Sequence, residues 1–309
     1  MTNLRASIDI GSNSVLLLVG DISNGKLREI SKRSEITSLG RDLDATKNFH
    51  SESMEATYQA LESYAKECDH LGIQRTDIIA TATEASRVAA NASVFFAKVE
   101  HDLKIKVNII TSQAEAYFSS KGILNNGQFR SEIITIMDIG GASTELIRVN
   151  TKTFQVLETI SMPIGAVRAT QWLDEKLFVQ RLQKVFLDFR NEIDKFQTKE
   201  LYCVAGTVTS LGNMHLKNKE FIENEVHGLV LKAEDVDALF KTYSEFSPKE
   251  TLELFPFLKK RTNSIRGGLH LVYHLAHRLM VKELTISTYG LRFGTLLEGE
   301  IKKQYLYGQ

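Results

Sequence analysis

Residues 136–146 read IMDIGGASTEL, and residues 7–17 read SIDIGSNSVLL. In each copy a β-prone apolar run ends in Asp-Ile-Gly, passes through small residues to a serine, and resumes as a second apolar run. Strand-forming residues on either side of a Gly-containing turn predict strand, tight turn, strand. Asp9 and Asp138 are 129 positions apart. The surroundings repeat as well. The first half predicts strands RASIDIG, VLLLVGDI and KLREISKRS, a helix through SMEATYQALESYAKECDHL, strand RTDIIATAT, short helices, strand KVNIIT and helix SQAEAYFSSKGI. The second half predicts strands IITIMDIG, STELIRVN and FQVLETISM, a long amphipathic helix near residues 175–197, and strand ELYCVAG. A three-stranded meander followed by helix and strand, present twice, is an internal duplication.

The expected architecture is therefore an α/β chain of two related lobes. Turn formers cluster in LNNGQFRSE between a helix and a strand, which places the boundary there. The stretch GLRFGTLLEGEIKKQYLYG reads as a final helix returning to the first lobe. The lobes expected are residues 1–126 plus 290–309, and residues 127–289. A length of 309 residues with 43% hydrophobic content suits two folded domains with full cores. No apolar run approaches the roughly 20 residues that span a bilayer, and MTNLRAS lacks a signal-peptide core, so a cytoplasmic address is expected. With 38 basic and 38 acidic residues, bulk charge points to neither nucleic acid nor membrane as a partner. Cys68 and Cys203 have no metal-type spacing and read as buried or free thiols.

The repeated turn carries chemistry. Gly and small residues between two strands let several backbone N–H groups converge on one point, a nest that binds phosphate oxygens. An acid at the end of the preceding strand is placed to hold hydrated Mg²⁺, which takes one or two carboxylates plus substrate phosphates. One such hairpin alone is as well explained by a Gly turn; two in matching contexts favour a clamp on a polyphosphate.

The motifs SIDIGSNSV, TEASRVAAN, TSQAEA, IMDIGGASTEL, SMPIGAVRAT, VAGTVTSL and ISTYGLRFG occur in an order that resembles the exopolyphosphatase and guanosine pentaphosphate phosphatase family, a branch of the actin-like ATPase superfamily. The resemblance runs from about residue 5 to residue 300 and is to the short, two-domain form. It implies two ribonuclease-H-like lobes with an interdomain cleft, Mg²⁺-dependent hydrolysis of terminal phosphoanhydrides of polyphosphate or guanosine pentaphosphate, and a homodimer.

Site residues follow from the same resemblance. Glu115, in TSQAEA, matches the glutamate that acts on the attacking water. Asp138 and Glu145 match carboxylates that bind metal and orient water, and Asp9 is the equivalent acid of the first loop. Backbone donors are expected from Gly11, Ser12, Asn13 and Ser14, and from Gly140, Gly141, Ala142, Ser143 and Thr144. Gly206 and Thr207 would bring a helix N-terminus to the anion. Arg87 matches an arginine that faces the phosphates. The chain departs from the family pattern at Leu16, usually basic; at Gln113 and Ala114; at Ala142, usually glycine; at Asp42, in a glycine position; and at Phe293, usually glutamate.

Two further features have open readings. His270, His274 and His277 share a helical face and are either packed or a metal site. KKRTNSIR, with Lys259, Lys260, Arg261 and Arg266, is either an extension of the anion track or a solvated helix start. Two rival functions remain beside the hydrolase: a sugar or acetate kinase, since IRGGLHLV resembles a nucleoside-cradling Gly-Gly turn, and a sensor that binds alarmone or polyphosphate without turnover.

Overall fold

The computed structural model describes residues 4–23 and 26–308. In chain order the elements are β1 (Leu4–Ile10), β2 (Ser14–Ser23), β3 (Lys26–Ile36), α1 (Leu43–Thr46), α2 (Ser51–His70), β4 (Ile79–Ala82), α3 (Glu84–Val88), α4 (Ala92–Leu103), β5 (Val107–Ile109) and α5 (Ser112–Asn126). Then come β6 (Ile133–Ile139), β7 (Thr144–Asn150), β8 (Val156–Met162), α6 (Ala166–Asp174), α7 (Phe178–Asp188), α8 (Arg190–Ile193), β9 (Glu200–Val204) and α9 (Gly206–His215). The chain continues through α10 (Glu223–Val226), β10 (Val230–Lys232), α11 (Ala233–Tyr243), α12 (Pro248–Leu254), α13 (Thr262–Arg278), β11 (Glu283–Ile286) and α14 (Leu291–Glu298). Backbone contacts divide it into two compact units, Met1–Asn126 with Gly290–Gln309, and Gly127–Tyr289.

Each unit holds one mixed sheet, ordered β3-β2-β1-β4-β5 in the first and β10-β11-β9-β6-β7-β8 in the second. The antiparallel meander β1–β3 is continued by parallel β4 and β5; the meander β6–β8 is continued by parallel β9 and β11. Even the irregularity repeats. The register shifts between Val19 and Gly20 in β2, and between Arg148 and Val149 in β7, again 129 positions apart. A bulge is a defined feature of a strand pair, so its recurrence marks the duplication at the level of backbone geometry.

Side-chain alternation decides which face of each sheet is packed. Ala6, Ile8 and Ile10 pair with Val19, Leu17 and Val15, and all six are buried in the first core with Leu61, Tyr64 and Cys68 of α2. The residue between Ile8 and Ile10 is Asp9, opposite Leu16 on the other face. In the second unit Met137 pairs with Leu146 in the core, and the next pair along is Asp138 with Glu145 on the opposite face. Hydrophobic alternation thus places an acid near the end of each first strand on the face turned from the core. Both cysteines are buried, and burial pushes the Cys68 thiol up to about 12 and Cys203 up as well, so neither is a reactive thiolate.

Two sequence expectations need correction. The long helix expected near 175–197 is shorter and interrupted: Lys176 adopts a left-handed backbone (φ 58°) so that α7 starts only at Phe178, Phe189 separates α7 from α8, and a 3₁₀ turn at Asp194–Phe196 ends the run. The final helix is only Leu291–Glu298, since Gly299 caps it in the left-handed region (φ 86°); a short 3₁₀ turn follows at Lys303–Tyr305. α14 belongs to the first unit, where Ser7 Oγ and Thr295 Oγ1 are 2.6 Å apart. It meets α5 through glycines: a Cβ on Gly294 would lie 1.8 Å from the Phe118 carbonyl oxygen, and one on Gly122 would lie 2.3 Å from that of Gly290.

Backbone strain is concentrated at Ala205, between β9 and α9, with φ 81° and ψ 169°. That region is essentially restricted to glycine and costs a side-chain-bearing residue about 1–3 kcal/mol.

Two stability predictions follow from these contacts. Gly294→Ala should lower unfolding free energy by at least about 1–3 kcal/mol, because rigid backbone faces the new methyl group. Urea unfolding followed by circular dichroism reads this as a lower midpoint. Ala205→Gly should raise the midpoint, gaining on the order of 1 kcal/mol after the extra chain entropy of glycine is subtracted. An unchanged midpoint would mean that the strain does not reside at Ala205.

Candidate active site

In the turn between β6 and β7 the Gly140 N–H donates to the Ser143 carbonyl (3.0 Å). Three successive carbonyls of this turn are taken from one side. Gly140 O accepts from Ala166 N (2.9 Å), Gly141 O from Val167 N (2.9 Å), and Ala142 O from the Arg168 guanidinium. A trans peptide carries its N–H opposite its C=O. The amides of Gly141, Ala142 and Ser143 are therefore directed away from the α6 segment, toward a common side. Converging amides of this kind form an anion nest; of the expected donors, the Gly140 N–H is used inside the turn, and Thr144 is buried with its hydroxyl donating to Ile164 O (2.6 Å). The approach of α6 requires Gly165, since a Cβ there would stand 2.5–2.6 Å from the Gly140 oxygen, the Gly141 carbonyl carbon and the Ala142 nitrogen.

The first loop is built the same way. Gly11 N–H donates to Ser14 O (2.9 Å); Ser12 O accepts from Gly40 N (2.7 Å), and Asn13 O from Thr37 N and Ser38 N (both 3.0 Å). The amides of Asn13 and Ser14 are directed the opposite way. Gly40 stands where Gly165 stands in the other unit: its Cβ would lie 3.0 Å from Ser12 Cβ. Asp42, in the glycine position of the family pattern, adopts φ 53° and ψ 18°, a left-handed conformation that Asp tolerates better than most residues.

Around the first loop the strand ends bring further groups together. Asp9 is level with Thr81 of β4, Thr83 N–H donates to Ile10 O (3.3 Å), and Ile110 N–H donates to Ala82 O (3.0 Å). The helices that start there, α3 and α5, carry Arg87 and Glu115. Arg87 Nη1 donates to Glu115 Oε2 (3.0 Å) and to Ile110 O (2.8 Å). The two side chains are only 9% and 12% exposed, so this is an ion pair largely withdrawn from water. Glu84, which the sequence reading passed over, receives a long hydrogen bond from Ser12 Oγ (3.5 Å). Its motif is visible in the sequence; its nearness to the loop is visible only once β4 is placed beside β1. Arg168 was missed because its contact with the Gly140 turn exists only where the segment after β8 crosses that turn.

In the second unit Asp138 is level with Val204 of β9, so the strained Ala205 and the N-terminus of α9 follow beside the Gly140 loop. Gly206 lets the Arg261 guanidinium approach the start of α9, where a Cβ would stand 2.2–2.4 Å from it. A helix N-terminus and an arginine meet at this point, and both favour an anion. The segment KKRTNSIR is thereby divided: Arg261 lies at α9, Arg266 pairs with Asp174, and Lys259 and Lys260 are exposed. Thr207 is buried against Gly268.

Asp138 and Glu145 are directly opposed strand partners, and opposed residues share a face. Glu145 is buried and accepts from Ser161 Oγ (2.7 Å). Two carboxylates side by side form an oxygen donor set of the kind hydrated Mg²⁺ takes, so these residues fit that cation. The 129-residue offset aligns Glu145 with Leu16, so the first loop has a single acid, Asp9, at this level.

Two alternative readings are removed by placement. The glycines of IRGGLHLV lie inside α13, where Gly267 allows contact with Thr170 and Gly268 with Thr207; they form no nucleoside-cradling turn. His270 packs edge-on against Phe178 and Phe240 (ring centroids 5.3 and 4.8 Å), and His277 pairs with Asp237 (2.9 Å). Burial lowers the pKa of His270 and His274, and among the described residues no group of three or more His, Cys, Asp or Glu is arranged to hold a metal. No helix among the described residues is long and apolar enough to cross a membrane.

The chain is similar to known proteins over most of its length. The model of the Ppx/GppA phosphatase family matches residues 18–303. A bifunctional 3-dehydroquinate synthase/phosphatase of Fusobacterium nucleatum is 30% identical over 96% of the chain, which spans 46% of that protein. Exopolyphosphatase 2 of Mycobacterium tuberculosis is 26% identical, covering 94% of this chain and 97% of its own. A guanosine-5'-triphosphate,3'-diphosphate pyrophosphatase of Pseudoalteromonas translucida is 36% identical over 95% of this chain, which spans 59% of that protein. Among solved structures, the Aquifex aeolicus member of the Ppx/GppA family superposes with a TM-score of 0.77 at 29% identity, covering 96% of each chain. The two-domain, actin-like ATPase fold implied by the sequence motifs is thus the fold of the molecule. The chain belongs to the Ppx/GppA phosphatase family.

Proposed function

We propose that the protein hydrolyses the terminal phosphoanhydride of inorganic polyphosphate or guanosine pentaphosphate with the help of Mg²⁺. The observation that carries this reading is the pair of loops whose carbonyls are tied off on one side, turning successive amides the other way in each unit. Relatives whose names specify exopolyphosphatase and guanosine-5'-triphosphate,3'-diphosphate pyrophosphatase support the substrate class.

The roles follow from the chemistry of phosphoryl transfer, which needs positioning and charge neutralisation more than covalent help. Amides of Gly141, Ala142 and Ser143, and of Asn13 and Ser14, take phosphate oxygens, and the α9 N-terminus with Gly206, Thr207 and Arg261 adds a third anion contact. Asp138 and Glu145 would hold Mg²⁺, which when bound offsets negative charge on the phosphate oxygens. Asp9 serves the first loop as its acid. Glu115 orients a water in line with the terminal phosphorus. As the water oxygen bonds to phosphorus, the bridging P–O bond breaks and the proton passes to the Glu115 carboxylate. Orthophosphate leaves, and the chain is one phosphate shorter. Arg87 holds Glu115 Oε2 and so sets where the base stands. We take the enzyme to be a homodimer, a reading that rests on the family resemblance.

The test is phosphate release from tripolyphosphate, long polyphosphate, guanosine pentaphosphate and ATP, with and without Mg²⁺. Binding without release would make the protein a sensor. Glu115→Gln keeps size and hydrogen bonding but removes the base; turnover should fall by about 10²- to 10⁴-fold while substrate affinity survives. Unchanged turnover would remove Glu115 from the mechanism. Asp138→Asn should abolish the rise in rate on Mg²⁺ titration together with most activity, because an amide does not neutralise a cation. Normal Mg²⁺ activation in that variant would exclude Asp138 as the ligand.

A further inference from the structure

The segment after α14 closes on the root of α5. Tyr307 N–H donates to Ile109 O (2.9 Å), Leu306 forms an antiparallel bridge with Ile110, and Tyr305 O accepts from Thr111 N–H (2.9 Å). The Tyr305 ring anchors it, stacked on Tyr117 (centroids 5.4 Å, 14° between planes) and edge-on to Phe118 (5.0 Å). Lys302 adds an ion pair to Glu298 (3.7 Å), which also accepts from Tyr117 Oη (3.2 Å).

What it touches is a single peptide unit with two consequences. The plane joining Ile110 to Thr111 has its N–H held by Tyr305 O and its C=O held by Arg87 Nη1 (2.8 Å). Its two ends point opposite ways, so one hydrogen bond fixes the direction available to the other. Thr111 then starts α5: its Oγ1 accepts from Ala114 N (3.1 Å) and its carbonyl from Glu115 N (3.0 Å). The backbone bond to Tyr305 therefore sets both the acceptor that steers Arg87 and the cap that sets the first turn carrying Glu115.

We propose that residues 303–307 are a strap that positions the Arg87–Glu115 pair for the water-activating step, with Tyr305 and Tyr307 as positioning residues. The proposal rests on the reading of Glu115 as the group that acts on water. A misplacement of the reacting groups by about 1 Å, caused by a change far from the chemistry, can cost on the order of 10²-fold in rate, and the loss falls on turnover when binding contacts are untouched.

The experiment measures phosphate release from tripolyphosphate with Mg²⁺ in the full chain, each variant first checked for native near-ultraviolet circular dichroism. Tyr305→Ala removes the anchor. Tyr307→Pro removes one N–H donor, and the preceding Leu306 already has φ −83° and ψ 138°, a conformation that precedes proline without clash. Both should lower kcat by about tenfold or more with KM within about twofold, while Tyr305→Phe and Tyr307→Ala stay near wild type. In a Glu115→Gln background neither strap variant should cost anything further, since the group being positioned is gone. Equal fold-losses in both backgrounds, or a rise in KM with kcat unchanged, would overturn the proposal and leave the strap a merely structural one. If Tyr305→Ala does not fold, Tyr307→Pro decides. Glu115→Gln as active as wild type would instead sink the reading of Glu115 and the strap's role with it, a result distinct from strap failure in a Glu115-dependent enzyme.

Discussion

A peptide plane cannot turn its carbonyl one way and its amide the same way, and this geometric restriction shapes both loops. In each unit the segment that follows the third strand crosses back over the Gly turn and occupies its carbonyl oxygens. Gly40, Thr37 and Ser38 do so in the first unit; Ala166, Val167 and Arg168 do so in the second. Amide direction is a consequence. Neither loop makes its nest by its own sequence alone: the small residues permit the conformation, and the crossing segment selects it. Gly40 and Gly165 are the points of closest approach, and their missing side chains allow the crossing.

The same economy of space governs the second shell of helices. Gly206 admits the Arg261 guanidinium to the start of α9, Gly267 and Gly268 seat α13 against α6 and α9, and Gly122 and Gly294 seat α14 against α5. At Gly122, Gly267 and Gly294 the facing atoms are backbone, where a methyl group has nowhere to go; at Gly268 they are the Thr207 and Ala166 side chains, and at Gly206 the mobile end of Arg261. Strain is accepted beside them at Ala205, a residue with a Cβ held in a glycine conformation. Such outliers persist where surrounding structure over-determines them, and this one sits at the entrance to an anion-favouring helix end.

Charge is handled differently from shape. The Arg87–Glu115 pair is largely shielded from solvent, and desolvating two ions is costly unless geometry and further hydrogen bonds compensate. The Ile110 carbonyl supplies one such bond to Arg87. A site that held Glu115 loosely would place a base in many positions; the buried partner and the bracketed peptide at Ile110–Thr111 leave few. Positioning of this kind is what phosphoryl transfer asks of a protein.

Much of this is legible in the sequence alone. The repeated Asp-Ile-Gly phrase, the strand order within each meander and the acids Asp9 and Asp138 follow from alternation and turn chemistry, which are local and leave their mark on neighbouring residues; Glu145 was marked by the family resemblance. The family motifs likewise marked Arg87 and Glu115, but not that the two bond each other. Local pattern failed where conformation was set from outside: Phe189 and Gly299 end helices that periodicity would have continued, and Gly267 and Gly268 looked like a turn while serving a helix contact. By itself the sequence determined the duplication, the two cores and the identity of the chemical groups, because burial periodicity and residue type are properties of the chain. Only tertiary structure decided which way the loop amides point, which arginine meets which carbonyl and glycine, and that Glu84 and the Tyr305–Tyr307 segment lie beside these groups, because those contacts join residues from about 25 to nearly 200 positions apart and depend on strands being laid side by side.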